Sequence, residues 1–182
     1  ELQFVIGHEM GHNLGLYHSN NLECGATTLG DNCSVGTYGD VLDIMGGGVS
    51  GHYNAFQKDR LGWLGRASFP PIITVETDGS YTLGAYAVGD MGAKALKILK
   101  DVDPSSGEKT WYYVEYRRAF GFDEFLADYG PNVVNGVSVH TGSELDGNTS
   151  LLLDMAPDNQ WPASYDWQEP ALESGKSFTD SN

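Results

Sequence analysis

Three histidines within eleven residues constrain this chain more than any other feature of its 182 residues. His8-Glu9-Met10-Gly11-His12 lies inside the run Glu1 to Leu14, where Leu2, Ile6, Met10 and Leu14 recur every four residues and Phe4 and Val5 add further apolar surface. That period predicts a helix. Residues four apart sit one above the other on a helix face, so His8 and His12 can aim two imidazoles at one point on the side away from the Leu2 to Leu14 flank. Glu9 is offset around the helix and can reach the same point without being a ligand. Gly15 can take the left-handed conformation that ends a helix, which turns the chain back and brings His18 in from another side. A helix this apolar is expected to be buried nearly all round. Its partners are not upstream in this sequence, so the chain is expected to be a fragment of a longer protein. The polar ending Gly175 to Asn182 suggests the same at the other end.

Three neutral imidazoles converging on one point form a zinc ligand set that leaves a fourth position for water, the arrangement of a catalytic site rather than a structural one. A neighbouring carboxylate that is not a ligand is placed to move a proton of that water. A bare HExxH is common on ordinary helices. The extended HExxHxxGxxH is much more specific, because each added residue has a separate geometric task.

His8-Glu9-Met10-Gly11-His12-Asn13-Leu14-Gly15-Leu16-Tyr17-His18, followed by Asp43-Ile44-Met45-Gly46, resembles the zinc signature and Met-turn of the metzincin metallopeptidases. Tyr38-Gly39-Asp40 leading into that turn, then His52-Tyr53-Asn54-Ala55 and Leu61-Gly62-Trp63-Leu64, are most similar to the gametolysin-like secreted peptidases. Ser19 after the third histidine is also similar to matrixins, which lack the glycine-rich stretch after the Met-turn and the trailing β region. The resemblance is strong over about residues 1 to 65. It implies a zinc-dependent endopeptidase acting on protein or peptide substrates outside the cell. In that reading His8, His12 and His18 hold Zn2+, Glu9 is the catalytic base, and Met45 underlies the ligands. Tyr53 has two readings: a hydroxyl aimed at the developing oxyanion, as in some metzincins, or simple packing. Metzincin catalytic domains carry, before the zinc helix, a sheet whose edge strand holds substrate. This sequence lacks it, which puts activity of the fragment by itself in doubt.

Beyond the motif, Ser19 to Asp43 shows no sustained period and reads as an irregular loop, followed by the Gly46-Gly47-Gly48 turn. Asn54 is an N-cap for a short helix from Ala55 to about Leu64, with Phe56, Leu61 and Leu64 as its apolar side. Pro70-Pro71 mark a boundary. After it the pattern predicts strands at Ile72 to Glu76, Ser80 to Leu83, Ala95 to Lys100, Thr110 to Arg118, Gly136 to Thr141 and Ser150 to Met155. Hairpins are expected at Asp103 to Gly107 and at Asp146-Gly147-Asn148. Trp111 and Tyr113 on one face, with Tyr112, Val114 and Tyr116 on the other, make the fourth strand central in its sheet. The expected fold class is α+β. Residues 1–68 form the lower half of a metzincin (zincin-like) catalytic domain, with zinc-binding helix, Met-turn and a following helix. Residues 69–182 form a mostly antiparallel β domain.

Ten Lys and Arg against 25 Asp and Glu give a net charge of -15, which repels phosphate backbones and anionic membranes. A nucleic-acid partner is therefore excluded, and no apolar run approaches the ~18 residues of a membrane-spanning helix. Cys24 and Cys33 are close enough to staple their loop, which would imply an oxidising compartment; two free thiols in a cytosolic protein are the other reading. Asp40 and Asp43 read either as Ca2+ ligands or as Asx turns, and Glu144, Asp146 and Asn148 at a hairpin tip raise the same pair of readings. His52 is expected at the surface and His140 in a structural role. Two other functions stay open: a catalytically silent zinc-containing binding protein whose β domain carries recognition, and a zinc hydrolase of small amides.

Overall fold

The computed structural model describes residues 2–66, 68–157 and 166–180. Apolar residues at helical spacing give α1 (Leu2–Asn13), which Gly15 closes at φ +90. Two short strands follow, β1 (Asn20–Glu23) and β2 (Ser34–Gly36), and then α2 (Ala55–Arg60). The second half supplies β3 (Ile72–Thr74), β4 (Ala95–Val102), β5 (Lys109–Glu115), a 3-10 helix (Gly121–Asp128), α3 (Pro131–Asn135), β6 (Ser138–Ser143) and β7 (Leu151–Leu153). All seven strands join one sheet in the order β2-β1-β7-β6-β5-β4-β3. It is mostly antiparallel, the parallel pairs being β1 with β7 and β3 with β4. The fold is therefore mixed α+β, and residues on both sides of position 68 share its sheet.

Alternation along β5 decides what packs on each face. Trp111 and Tyr113 meet Ala55, Phe56, Leu64 and Ala95, so α2 lies against that side, with the Phe56 and Tyr113 rings edge to face at 5.4 Å. Tyr112 points the other way and packs with Val139, Leu153 and Met155. Asn54 caps α2 as expected, its side chain accepting from the Gln57 N–H at 3.0 Å. That helix ends at Arg60 rather than near Leu64, because Gly62 turns left-handed at φ +70 and the Trp63 N–H bonds back to the Lys58 carbonyl.

Three further expectations are corrected. Ser80 to Leu83 forms no strand; its Tyr81 hydroxyl donates to the Thr77 carbonyl, a local bond that competes with ladder pairing. The stretch Ser19 to Asp43 is not wholly irregular, since it contains β1 and β2. Finally, α1 does not bury its apolar flank. Leu2 is 74% exposed, Ile6 52% and Met10 54%, whereas His8 and Gly11 are buried. The face that packs is the one with glycines, because a Cβ on Gly7 or Gly11 would overlap Ile44 or Met45.

Candidate metal centre

The end of α1 and the turn after it bring His8, His12 and His18 together, with their ligand nitrogens all within 4.8 Å of one another. Among the described residues this is the one group of three or more His, Cys, Asp or Glu side chains able to hold a metal ion. His8 Nδ1 lies 2.8 Å from the Ile44 carbonyl and His12 Nδ1 lies 2.9 Å from the Leu16 carbonyl. A carbonyl only accepts, so both Nδ1 atoms carry the proton and both Nε2 atoms present lone pairs. His18 Nε2 is 3.1 Å from His12 Nε2. Nitrogens bound tetrahedrally to zinc at about 2.0–2.1 Å stand about 3.3 Å apart, close to the spacing of the His12 and His18 pair. Burial, then the neighbouring His12 and His8 imidazoles, lower the pKa of His18, while Glu9 acts in the opposite sense. The neutral imidazole that a metal needs is thereby favoured. Glu9 itself is exposed.

Beside α1, the Gly46 N–H closes a tight turn onto the Asp43 carbonyl at 2.9 Å. Met45 in that turn is fully buried against Leu16, Ile44 and Phe4. Its carbonyl accepts from the Ser19 N–H at 2.9 Å, one residue past His18, and the Ile44 carbonyl holds His8. The turn is thus bonded to His8 and to Ser19, the residue after His18. Asp43 fixes the turn in its own right, accepting from the Met45 and Asn54 N–H groups at 2.5 Å each. Burial, and then the charge of Asp40, raise the Asp43 pKa to about 7. Asp40 accepts from the Leu42 N–H, the Asn54 side-chain amide at 3.2 Å and His140 Nε2 at 2.8 Å. Burial works against the charged form of His140, but the adjacent Asp40 carboxylate outweighs it and raises the pKa. His140 is therefore a buried strut between sheet and turn, while Asp40 and Asp43 spend their oxygens on protein donors.

The remaining residues fall elsewhere. Tyr53 is not brought among the imidazoles: its hydroxyl donates to the Gly7 carbonyl at 2.7 Å, and its ring packs near Trp63. It lines a groove with Ile6, Met10, His52, Lys58 and Tyr86, with about 600 Å³ of accessible space. His52 is half-buried there rather than fully at the surface, and burial, then the Lys58 charge, push its pKa down to about 4. Asp146 is exposed and accepts from the Asn148 N–H in an Asx turn, while Glu144 accepts from the Trp111 indole. Cys24 and Cys33 are joined in a disulfide directly beyond the Glu23 and Ser34 pair of β1 and β2. No helix among the described residues is long and apolar enough to cross a membrane. The residue that sequence reasoning missed is Tyr38, whose ring lies against His18; its only signal was its place in Tyr38-Gly39-Asp40 before the turn.

In comparisons with known proteins, no family model, no curated protein and no solved structure matches this chain.

Proposed function

We propose that this chain carries the catalytic centre of a secreted zinc endopeptidase of metzincin type, resembling the gametolysin-like enzymes. The observation that carries the reading is the convergence of three imidazoles, two of them with Nδ1 tied to backbone carbonyls so that Nε2 is left for a metal. The Met45 turn beside α1 and the order of the motif residues support it. The disulfide agrees with an oxidising compartment.

A bound zinc ion would supply Lewis acidity, lowering the pKa of a water toward neutrality and polarising a carbonyl. His8, His12 and His18 would hold the ion, and the backbone anchors of the first two keep their tautomers fixed. Glu9, adjacent in sequence to His8 and exposed, accepts the proton of the attacking water and delivers it to the departing amine nitrogen of the peptide. The products are a new carboxylate and a new amine.

Glu9→Gln tests the assignment, because it keeps volume and helix propensity while removing the proton acceptor. Zinc content, read by metal analysis, is expected to stay at one per chain. Cleavage of a denatured protein substrate is expected to fall by at least ~10²-fold. Both forms are compared with the substrate-holding edge strand supplied upstream of the zinc helix: there, equal cleavage would overturn the role of Glu9, and one zinc per chain with no cleavage by either form would favour the binding-protein reading.

A further inference from the structure

Two of the three imidazoles are anchored through Nδ1 to a backbone carbonyl, and the third is not. The hydrogen bond of His18 runs from Nε2 to His12, the nitrogen that faces the other ligands. A metal-binding histidine ordinarily has an outer partner that fixes its ring. In place of such a partner, the Tyr38 ring lies with its centroid 3.9 Å from that of His18, tilted by 36°, and 6.0 Å from that of His8, near parallel at 23°.

Tyr38 is held there against its own backbone preference. It is the one non-glycine at positive φ among the described residues, at 59°. An aromatic side chain in the left-handed region is strained and persists only where the surroundings impose it. The surroundings here are specific. The Tyr38 N–H donates to Asn20 Oδ1 at 3.0 Å, and the Gly39 N–H closes the turn onto the Gly36 carbonyl at 3.0 Å. Gly36 and Gly39 press so closely on Asn21 that a Cβ at either position would overlap its side chain. Asn20 and Asn21 open β1, two and three residues after His18. The strand that continues from His18 therefore also carries the clamp that lowers Tyr38 onto it. Tyr38 remains 44% exposed, so it lies against the imidazoles at the surface rather than filling the core.

We propose that Tyr38 is a positioning residue of the metal centre, its ring replacing the missing backbone anchor of His18 and fixing the orientation of that third ligand. This inference rests on the metal reading of the histidine cluster. It assigns the work to the ring face and not to the hydroxyl, and it treats the left-handed backbone as strain retained for the site.

Two variants of the zinc-binding chain test it, with zinc affinity measured by chelator competition and melting temperature measured on metal-free protein. Tyr38→Asn removes the ring and tolerates the left-handed backbone. It is expected to weaken zinc affinity about 10- to 100-fold, the range for loss of an outer partner, while the metal-free melting temperature holds or rises. Tyr38→Phe keeps the ring and is expected to bind zinc within about twofold of wild type, with the same visible spectrum when Co2+ replaces zinc. Wild-type affinity in the Asn variant, or weakening by Phe as severe as by Asn, overturns the proposal. So does a drop in metal-free melting temperature that parallels the loss of affinity, which would make Tyr38 a fold residue only. Wild type that takes up no zinc at all would instead overturn the metal centre itself.

Discussion

Lys58 is buried beside the groove, its Nζ 3.2 Å from the centre of the Tyr86 ring and without a hydrogen-bond acceptor. Burial lowers its pKa to about 7 from 10.5, although Glu115 pulls the other way. Between those two values the unfolded chain holds the proton and the folded chain does not. This group therefore makes the protein more stable as pH rises from 7 toward 10.5, by up to ~1.4 kcal/mol per unit. Chemical denaturation at pH 7, 8 and 9 should show wild type gaining on Lys58→Met across the series, with the variant the more stable of the two at pH 7. At the metal centre, His18→Ala should weaken zinc affinity by more than ~100-fold, beyond the loss of an outer partner, because a ligand itself is removed. Isothermal titration with zinc would show it. The histidine cluster was readable from sequence because helix geometry and one turn bring its members together locally. Tyr38 was not, because its place over His18 depends on a clamp made by Asn20 and Asn21 across a turn whose sequence shows no period.

At the scale of elements, β4 and β5, rich in β-branched and aromatic residues and bounded by turn residues, could be read directly. The pair β1 and β2 could not. Asn20-Asn21-Leu22-Glu23 has no alternation, and it is extended because β7 pairs with it on one side and β2 on the other. The Cys24 to Cys33 link then closes the hairpin. On the chain-entropy account a loop this short contributes about 2.5–3 kcal/mol. Replacing both cysteines by serine should lower the unfolding free energy by up to that amount in urea denaturation. A similar limit hid the orientation of α1: counting apolar residues favoured burying Leu2, Ile6 and Met10, but close approach was available only along Gly7 and Gly11. Gly142 in β6 gives the same kind of contact to α2, since a Cβ there would overlap the Phe56 ring. Ala is worth ~0.5–1 kcal/mol over Gly within a strand, but overpacking against a rigid buried ring costs ~1–3 kcal/mol. Gly142→Ala should therefore destabilise on balance, by about 1 kcal/mol or more on the same assay.

For the whole molecule, the histidine cluster and the sheet are one connected structure. The chain passes from His18 through Ser19 into β1, and the Asp40 to His140 pair ties the segment before the Met45 turn to β6. Zinc bound at the histidines should therefore stabilise the sheet. At free zinc 100-fold above its dissociation constant the gain is about 2.7 kcal/mol, which for a chain of this size raises the melting temperature by roughly 5–10 °C. Fluorescence of Trp111, buried on β5, should report the same shift as circular dichroism, in a single transition. A shift confined to one probe would show that the two parts unfold separately.

The parallel pairing of β1 with β7 has a further consequence, for the order of assembly. Asn20 must find Leu151, most of the chain away, whereas His8 and His12 meet within a single helix. Contacts so distant in sequence form slowly, because the loop between them must close before any pairing repays its entropy. During folding, then, the contacts among His8, His12 and His18, which span one helix and one turn, should form before β1 is seated against β7. The histidine cluster would thus be outlined early and tied to the sheet only when β1 has paired with β7.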